Sequence, residues 1–108
     1  MSTRVYIAGP MTGLPAHNFP AFRHAAMLLR EAGYEVLSPV EINNEEAGPA
    51  KTWQECMRAD IAALVTADVV ALLPGWEASR GALAEHFVAC TVGIPCREAH
   101  ILIATGAP

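Results

Sequence analysis

The run DVVALLP at Asp68–Pro74 constrains this chain more than any other segment. Val69 to Leu73 are apolar without alternation, so both faces of such a strand need cover, as at the centre of a parallel sheet. Parallel neighbours need crossover connections, which helices supply. The flanking sequence has those pieces. Arg4 to Ala8 (RVYIA) is β-branched and aromatic, and it stops at Gly9-Pro10. Phe22, Ala25, Ala26 and Leu29 recur at helical spacing behind Asn18 as N-cap, with Pro20 in the first turn and Gly33 as the stop. Tyr34 to Val40 reads as a second strand ended by Pro39, and 41–51 as a polar loop. Thr52 caps a second helix over WQECMRADIAALVTA. GWEAS then turns the chain into a third, RGALAEHFVACTVG, stopped by Gly93. IPCRE is a last short strand, which ILIA extends or follows as a separate one. The order β-α-β-α-β-α-β predicts a single α/β domain over 1–108. Its sheet is doubly wound, parallel and Rossmann-like (flavodoxin-like) in three α/β/α layers, with ligands outside the carboxyl ends of the strands.

Composition excludes several functions. Seven basic and eleven acidic side chains give a net charge of −4, and no basic run offers itself to a phosphate backbone. Nucleic acid is not an expected partner. Hydrophobic residues make up 53% and charged ones 17%, below the usual quarter, which argues against disorder and for burial against a second copy. No apolar run approaches a membrane span, and MSTRVYIAG lacks a signal-peptide layout, so a cytoplasmic location is expected. Cys56, Cys90 and Cys96 lack CxxC or Cys/His spacing, so neither a disulfide framework nor a zinc site is indicated.

Two acidic residues sit where apolar ones belong. Met57, Ile61 and Leu64 form the stripe of the second helix, and Asp60 falls three residues after Met57. There it is either a satisfied structural carboxylate or it reaches a cleft. On the third helix Leu83, Phe87 and Cys90 make one apolar face, and Gly81, Val88, Ala89 and Val92 a second that includes Glu85. A helix apolar on two sides packs on two sides, against the sheet and against a partner subunit. Glu85 is then withdrawn from water near the carboxyl edge of the Asp68–Pro74 strand, or else it is an exposed glutamate one turn inside a helix. Ser79, beside Arg80 and Gly81, opens that helix, either as a plain N-cap or as part of an anion pocket. Gly9 and Gly13 bracket a loop, GPMTG, where a ligand can approach the backbone; the loop has neither GxGxxG nor P-loop spacing. Tyr6 is core or catalytic. Trp53 and Trp76 flank helix starts, and Trp76 either walls a pocket for a planar base or simply packs. His86, beside Glu85, serves a site or a surface.

Taken together, YIAGPMTG at 6–13, NFPAF at 18–22, RADIAALVTADVVALLPGW at 58–76 and S-R-G-x-x-x-E at 79–85 resemble the nucleoside 2-deoxyribosyltransferase superfamily. They are most similar to its small phage- and prophage-type branch, DUF4406. The resemblance implies that Glu85 is the nucleophile and Asp60 the helical aspartate eight residues before Asp68. Tyr6 is then the first-strand tyrosine. Six residues before the glutamate, transferases of the superfamily carry aspartate, whereas relatives that hydrolyse deoxynucleoside 5′-monophosphates carry a phosphate-binding serine. Here that residue is Ser79. Gly9, Pro10, Met11, Gly81 and Trp76 are the remaining expected substrate contacts. The family's C-terminal segment, which reaches into a neighbour's site, has no clear counterpart in CREAHILIATGAP, where Thr105 is the nearest candidate.

The implied chemistry suits these residue types. Cleaving an N-glycosidic bond builds positive charge at C1′, which a carboxylate can stabilise or attack, and negative charge on the base, which a second acid can protonate. Glu85 fits the first role and Asp60 the second, with Tyr6 holding a carboxylate. Neither metal nor redox cofactor is needed. The expected reaction is hydrolysis of a deoxynucleotide. Its rivals are deoxyribosyl transfer between bases and a nucleotide-binding module without turnover. The lysine-decarboxylase-like phosphoribohydrolases are a more distant match, since their PGGxGTxxE signature is absent.

Overall fold

A computed structural model describes residues 2–44 and 51–108. Four strands, β1 (Arg4–Ala8), β2 (Glu35–Leu37), β3 (Val69–Leu72) and β4 (Cys96–Glu98), form one parallel sheet in the order β2-β1-β3-β4. Five helices connect and cover them: α1 (Phe19–Glu31), α2 (Pro39–Ile42), α3 (Trp53–Leu64), α4 (Arg80–Thr91) and α5 (Ala99–Thr105). The doubly wound parallel sheet expected from the strand pattern is present. Val5 pairs with Val69 and Ala8 with Leu72, so the two apolar strands lie side by side at the centre.

Strand periodicity divides the core. Val5, Ile7, Val69, Ala71 and Leu73 face Phe22, Ala25, Ala26 and Leu29 of α1, together with Ala99 of α5. Tyr6, Ala8, Val70 and Leu72 face the other way, onto Leu64 of α3 and Ala89 of α4. Alternate residues of one strand thus supply two cores, which is the physical content of three layers. Gly33, at φ 100, closes α1: its N–H bonds Arg30 O while Tyr34 N–H bonds Leu29 O. Among the described residues no helix is long and apolar enough to cross a membrane.

Several expectations are corrected. ILIA belongs to α5, not to a strand. A four-residue apolar run carries no decisive period, and here Leu102 and Ile103 pack against the α1 side of the sheet. The Tyr34 hydroxyl donates to Gly106 O at 3.0 Å and secures the end of that helix. Pro39 does not end a strand but opens α2, since β2 stops at Leu37. Helix α3 ends at Leu64, short of Ala67, and β4 begins at Cys96 rather than Ile94. Asn18 precedes α1 at φ 59 with no side-chain cap bond; its Nδ2 donates instead to Pro10 O at 2.9 Å, fastening the loop after β1. Thr52 does cap α3, within a reciprocal capping box with Glu55. Of the expected polar loop 41–51, residues 45–50 lie outside the described residues.

Candidate functional site

The chain turns one way from β1 to β2 and the other way from β3 to β4, so a crevice opens beyond the carboxyl ends of β1 and β3. Gly9 sits at its edge because a Cβ there would lie 2.7 Å from Leu73 Cβ; only a bare backbone passes so close to β3. A cavity of about 690 Å³ occupies this crevice, within the range of small-molecule sites. The loop after β1 contributes Gly9, Pro10 and Met11, α3 contributes Trp53, Met57 and Asp60, and the start of α4 contributes Ser79, Arg80, Gly81 and Glu85.

Glu85 and Asp60 are both withdrawn from water, at 4% and 6% exposure. Each has a dedicated donor. The Tyr6 hydroxyl donates to Glu85 Oε2 at 2.5 Å, from a strand position that points Tyr6 toward α4. Asn43 Nδ2 donates to Asp60 Oδ1 at 2.7 Å and to Pro39 O at 3.1 Å. Among the described residues Asn43 Oδ1 has no hydrogen-bond partner, so this buried amide is committed to donation. Burial pushes the Glu85 carboxyl up to about 8; the Tyr6 bond opposes the rise and the neighbouring Asp60 charge adds to it. At neutral pH the Glu85 carboxyl therefore carries its proton.

At the start of α4, Ser79 is an N-cap whose Oγ accepts from Ala82 N–H at 3.2 Å. The first N–H groups of a helix lack intrahelical partners. The Arg80 guanidinium lies 4.1 Å over the Trp53 ring, placing a cation at the same rim. A Cβ on Gly81 would meet Met57 Sδ at 3.4 Å and Trp53 Nε1 at 3.8 Å, both ordinary contacts. The glycine is therefore not demanded by the protein's own packing, and what it leaves is room in the cavity.

Glu85, Asp60, Ser79, Gly81, Gly9, Pro10 and Met11 all border one cavity, and Tyr6 reaches it through Glu85. Trp76 is not among the lining residues. It sits in a 3₁₀ turn, Trp76–Ala78, packs against the α4 side of the sheet and meets the His86 ring at a tilt of 32°, 4.6 Å between ring centroids. The aromatic wall is Trp53. Trp53 and Arg80 gave only weak signals, since their pairing joins two helix starts far apart in sequence. Asn43 gave none, because it acts from a short helix that reads as loop. Thr105 ends α5 and does not line the cavity.

Solved structures share this fold. A 2-deoxyribosyltransferase from the psychrotolerant bacterium Bacillus psychrosaccharolyticus superposes with a TM-score of 0.67 at 19% identity, over 87% of this chain and 69% of that one. A 2-deoxyribosyltransferase from Leishmania mexicana does so with a TM-score of 0.67 at 17% identity, over 89% of this chain and 63% of its own. No curated protein sequence matches. The model of the family DUF4406, a domain of unknown function, matches residues 3–97, from the start of the first strand into the last, and the chain belongs to that family.

Proposed function

We propose that this cavity hydrolyses the N-glycosidic bond of a 2′-deoxynucleoside 5′-monophosphate, giving free base and 2-deoxyribose 5-phosphate. The observation that carries the reading is Glu85, a buried carboxyl that borders the cavity and is held by Tyr6. Burying a carboxyl this deeply costs stability, so a purely structural role gives it little to repay that cost. In the proposed reaction the proton that Glu85 holds at neutral pH has passed to Asp60, leaving Glu85 ionised. The Glu85 carboxylate forms a bond to C1′ as the C1′–N bond breaks. The bonding pair leaves with the base, which takes the proton from Asp60. Water then adds to C1′, displaces Glu85 and returns a proton to Asp60.

Ser79, the open N–H groups of α4 and Arg80 support a phosphate on the substrate. Transfer to a second base in place of water is the alternative, and the fold shared with 2-deoxyribosyltransferases supports it equally. A panel of deoxynucleotides and deoxynucleosides, with and without a second base, tests both. Base release without acceptor is the expected result; exchange that requires an acceptor means transfer, and a thermal shift without products means a binding module. Ser79→Ala should raise KM for the nucleotide about tenfold or more, and leave that of the nucleoside nearly unchanged. Ser79→Gly keeps most of the capping stability and should show the same split. Equal losses on both substrates would remove the phosphate from this reading.

The outer face of α4 supports a homodimer or larger homo-oligomer. Phe87 is 71% exposed, with Leu83 and Val92 also in water. Light scattering at micromolar concentration should give at least twice the 11.5 kDa chain mass, and Phe87→Glu should reduce it to one. A wild-type monomer would dismiss the assembly.

A further inference from the structure

We propose that His86, Cys90 and Cys96 form a binding site for a thiophilic divalent cation of the zinc class, joining α4 to the edge strand β4. The ligating atoms of the three lie within 4.8 Å of one another, and Cys90 Sγ is 3.7 Å from His86 Nε2. Around a tetrahedral zinc, with Zn–S near 2.3 Å and Zn–N near 2.0 Å, ligand atoms stand about 3.4–3.8 Å apart. One pair is already there, and the third ligand atom lies within 4.8 Å of both. His86 and Cys90 are four apart on α4 and project from the same side of it, while Cys96 comes across from the first position of β4. A linear search for metal spacing misses this set because a helix and a neighbouring strand assemble it.

The donor types narrow the ligand. Two thiolates and one imidazole are soft to borderline, which suits Zn²⁺ and disfavours Mg²⁺ and Ca²⁺. Two thiolates also neutralise the cation, so the filled site adds no net charge beside the sheet. Three protein ligands leave a fourth tetrahedral position for a further donor. The tilted Trp76 ring packs against the His86 ring, 4.6 Å between centroids. His86 follows Glu85 directly but is turned about 100° around the helix, so this site lies outside the cavity.

Cobalt is the test probe. The full chain, reduced with a phosphine and stripped with a chelator, should take up one Co²⁺ per chain, with a thiolate-to-cobalt charge-transfer band and tetrahedral visible bands. Zn²⁺ should displace it and raise the melting temperature. His86→Gln, Cys90→Ser and Cys96→Ser should each weaken Zn²⁺ binding more than about 100-fold, since loss of an outer-shell partner alone costs 10–100-fold. Circular dichroism reports whether each variant is folded, and the wild-type cobalt spectrum is decisive even if one is not. Cys56→Ser should keep the band. No thiolate band at one equivalent, a band that survives Cys96→Ser, or one lost with Cys56→Ser would each overturn the site.

Discussion

Replacing Glu85 by glutamine should reduce the rate of base release by at least about a thousandfold while the nucleotide still binds. Glutamine keeps the shape of the side chain and can still accept from Tyr6, so the geometry around the 2.5 Å contact persists. What it lacks is the negative charge that answers the cation developing at C1′, and the oxygen pair that attacks it. Three decades correspond to roughly 4 kcal/mol of barrier at about 1.4 kcal/mol per decade. Ground-state binding rests elsewhere, on Ser79, Arg80 and the Trp53 wall. Single-turnover base release and calorimetric binding, measured on both proteins, separate the two effects. A variant that keeps a tenth of the wild-type rate would make Glu85 a structural carboxyl and dismiss the proposed chemistry.

Of the residues proposed for that chemistry, the two acids stand out in the sequence because each violates a local rule, and the serine because it follows one. Asp60 interrupts an apolar stripe, Glu85 falls within an apolar face, and Ser79 stands at a helix start. Asp60 and Glu85 are buried, Ser79 is half-buried, and all three border the same cavity. The strands were legible for the opposite reason: β1 and β3 obey their rule so fully that only a central parallel position suits them. What stayed hidden depends on tertiary placement. Helix α5 is decided by packing on α1, not by its four apolar residues. Asn43 matters only because α2 sets it against Asp60, and no pattern in PVEINN announces that pairing. Trp76 and Trp53 each flank a helix start, and the curvature of the chain alone puts one in the cavity and the other against His86. The His86, Cys90 and Cys96 cluster likewise exists only across the gap between a helix and a strand.

The same buried carboxyl should make folding stability fall as pH rises. In the folded chain Glu85 is pushed up to about 8, against an ordinary value of 4.5. Between those two values the folded protein holds a proton that the unfolded chain has released. Stability therefore declines with rising pH across this window, by up to about 1.4 kcal/mol per pH unit, and levels off above pH 8. Below pH 4.5 both states are protonated and the contribution is constant. Glutamine stands in for the protonated acid at every pH, so Glu85→Gln should unfold with nearly wild-type free energy at pH 5. At pH 9 it should exceed the wild type by a few kcal/mol. Groups remote from Glu85 are common to both proteins, so the difference between the two urea-unfolding profiles isolates this carboxyl together with its coupling to Asp60. Parallel profiles from pH 5 to pH 9 would mean that Glu85 ionises normally, and that water reaches it in the empty site. A diverging pair, joined to a collapsed rate in the variant, would instead show a carboxylate that weakens the fold whenever it is charged and is needed in that charged form for turnover. That combination is expected of a functional group and not of a structural one, because a carboxyl kept for stability alone would be improved by the substitution at no cost.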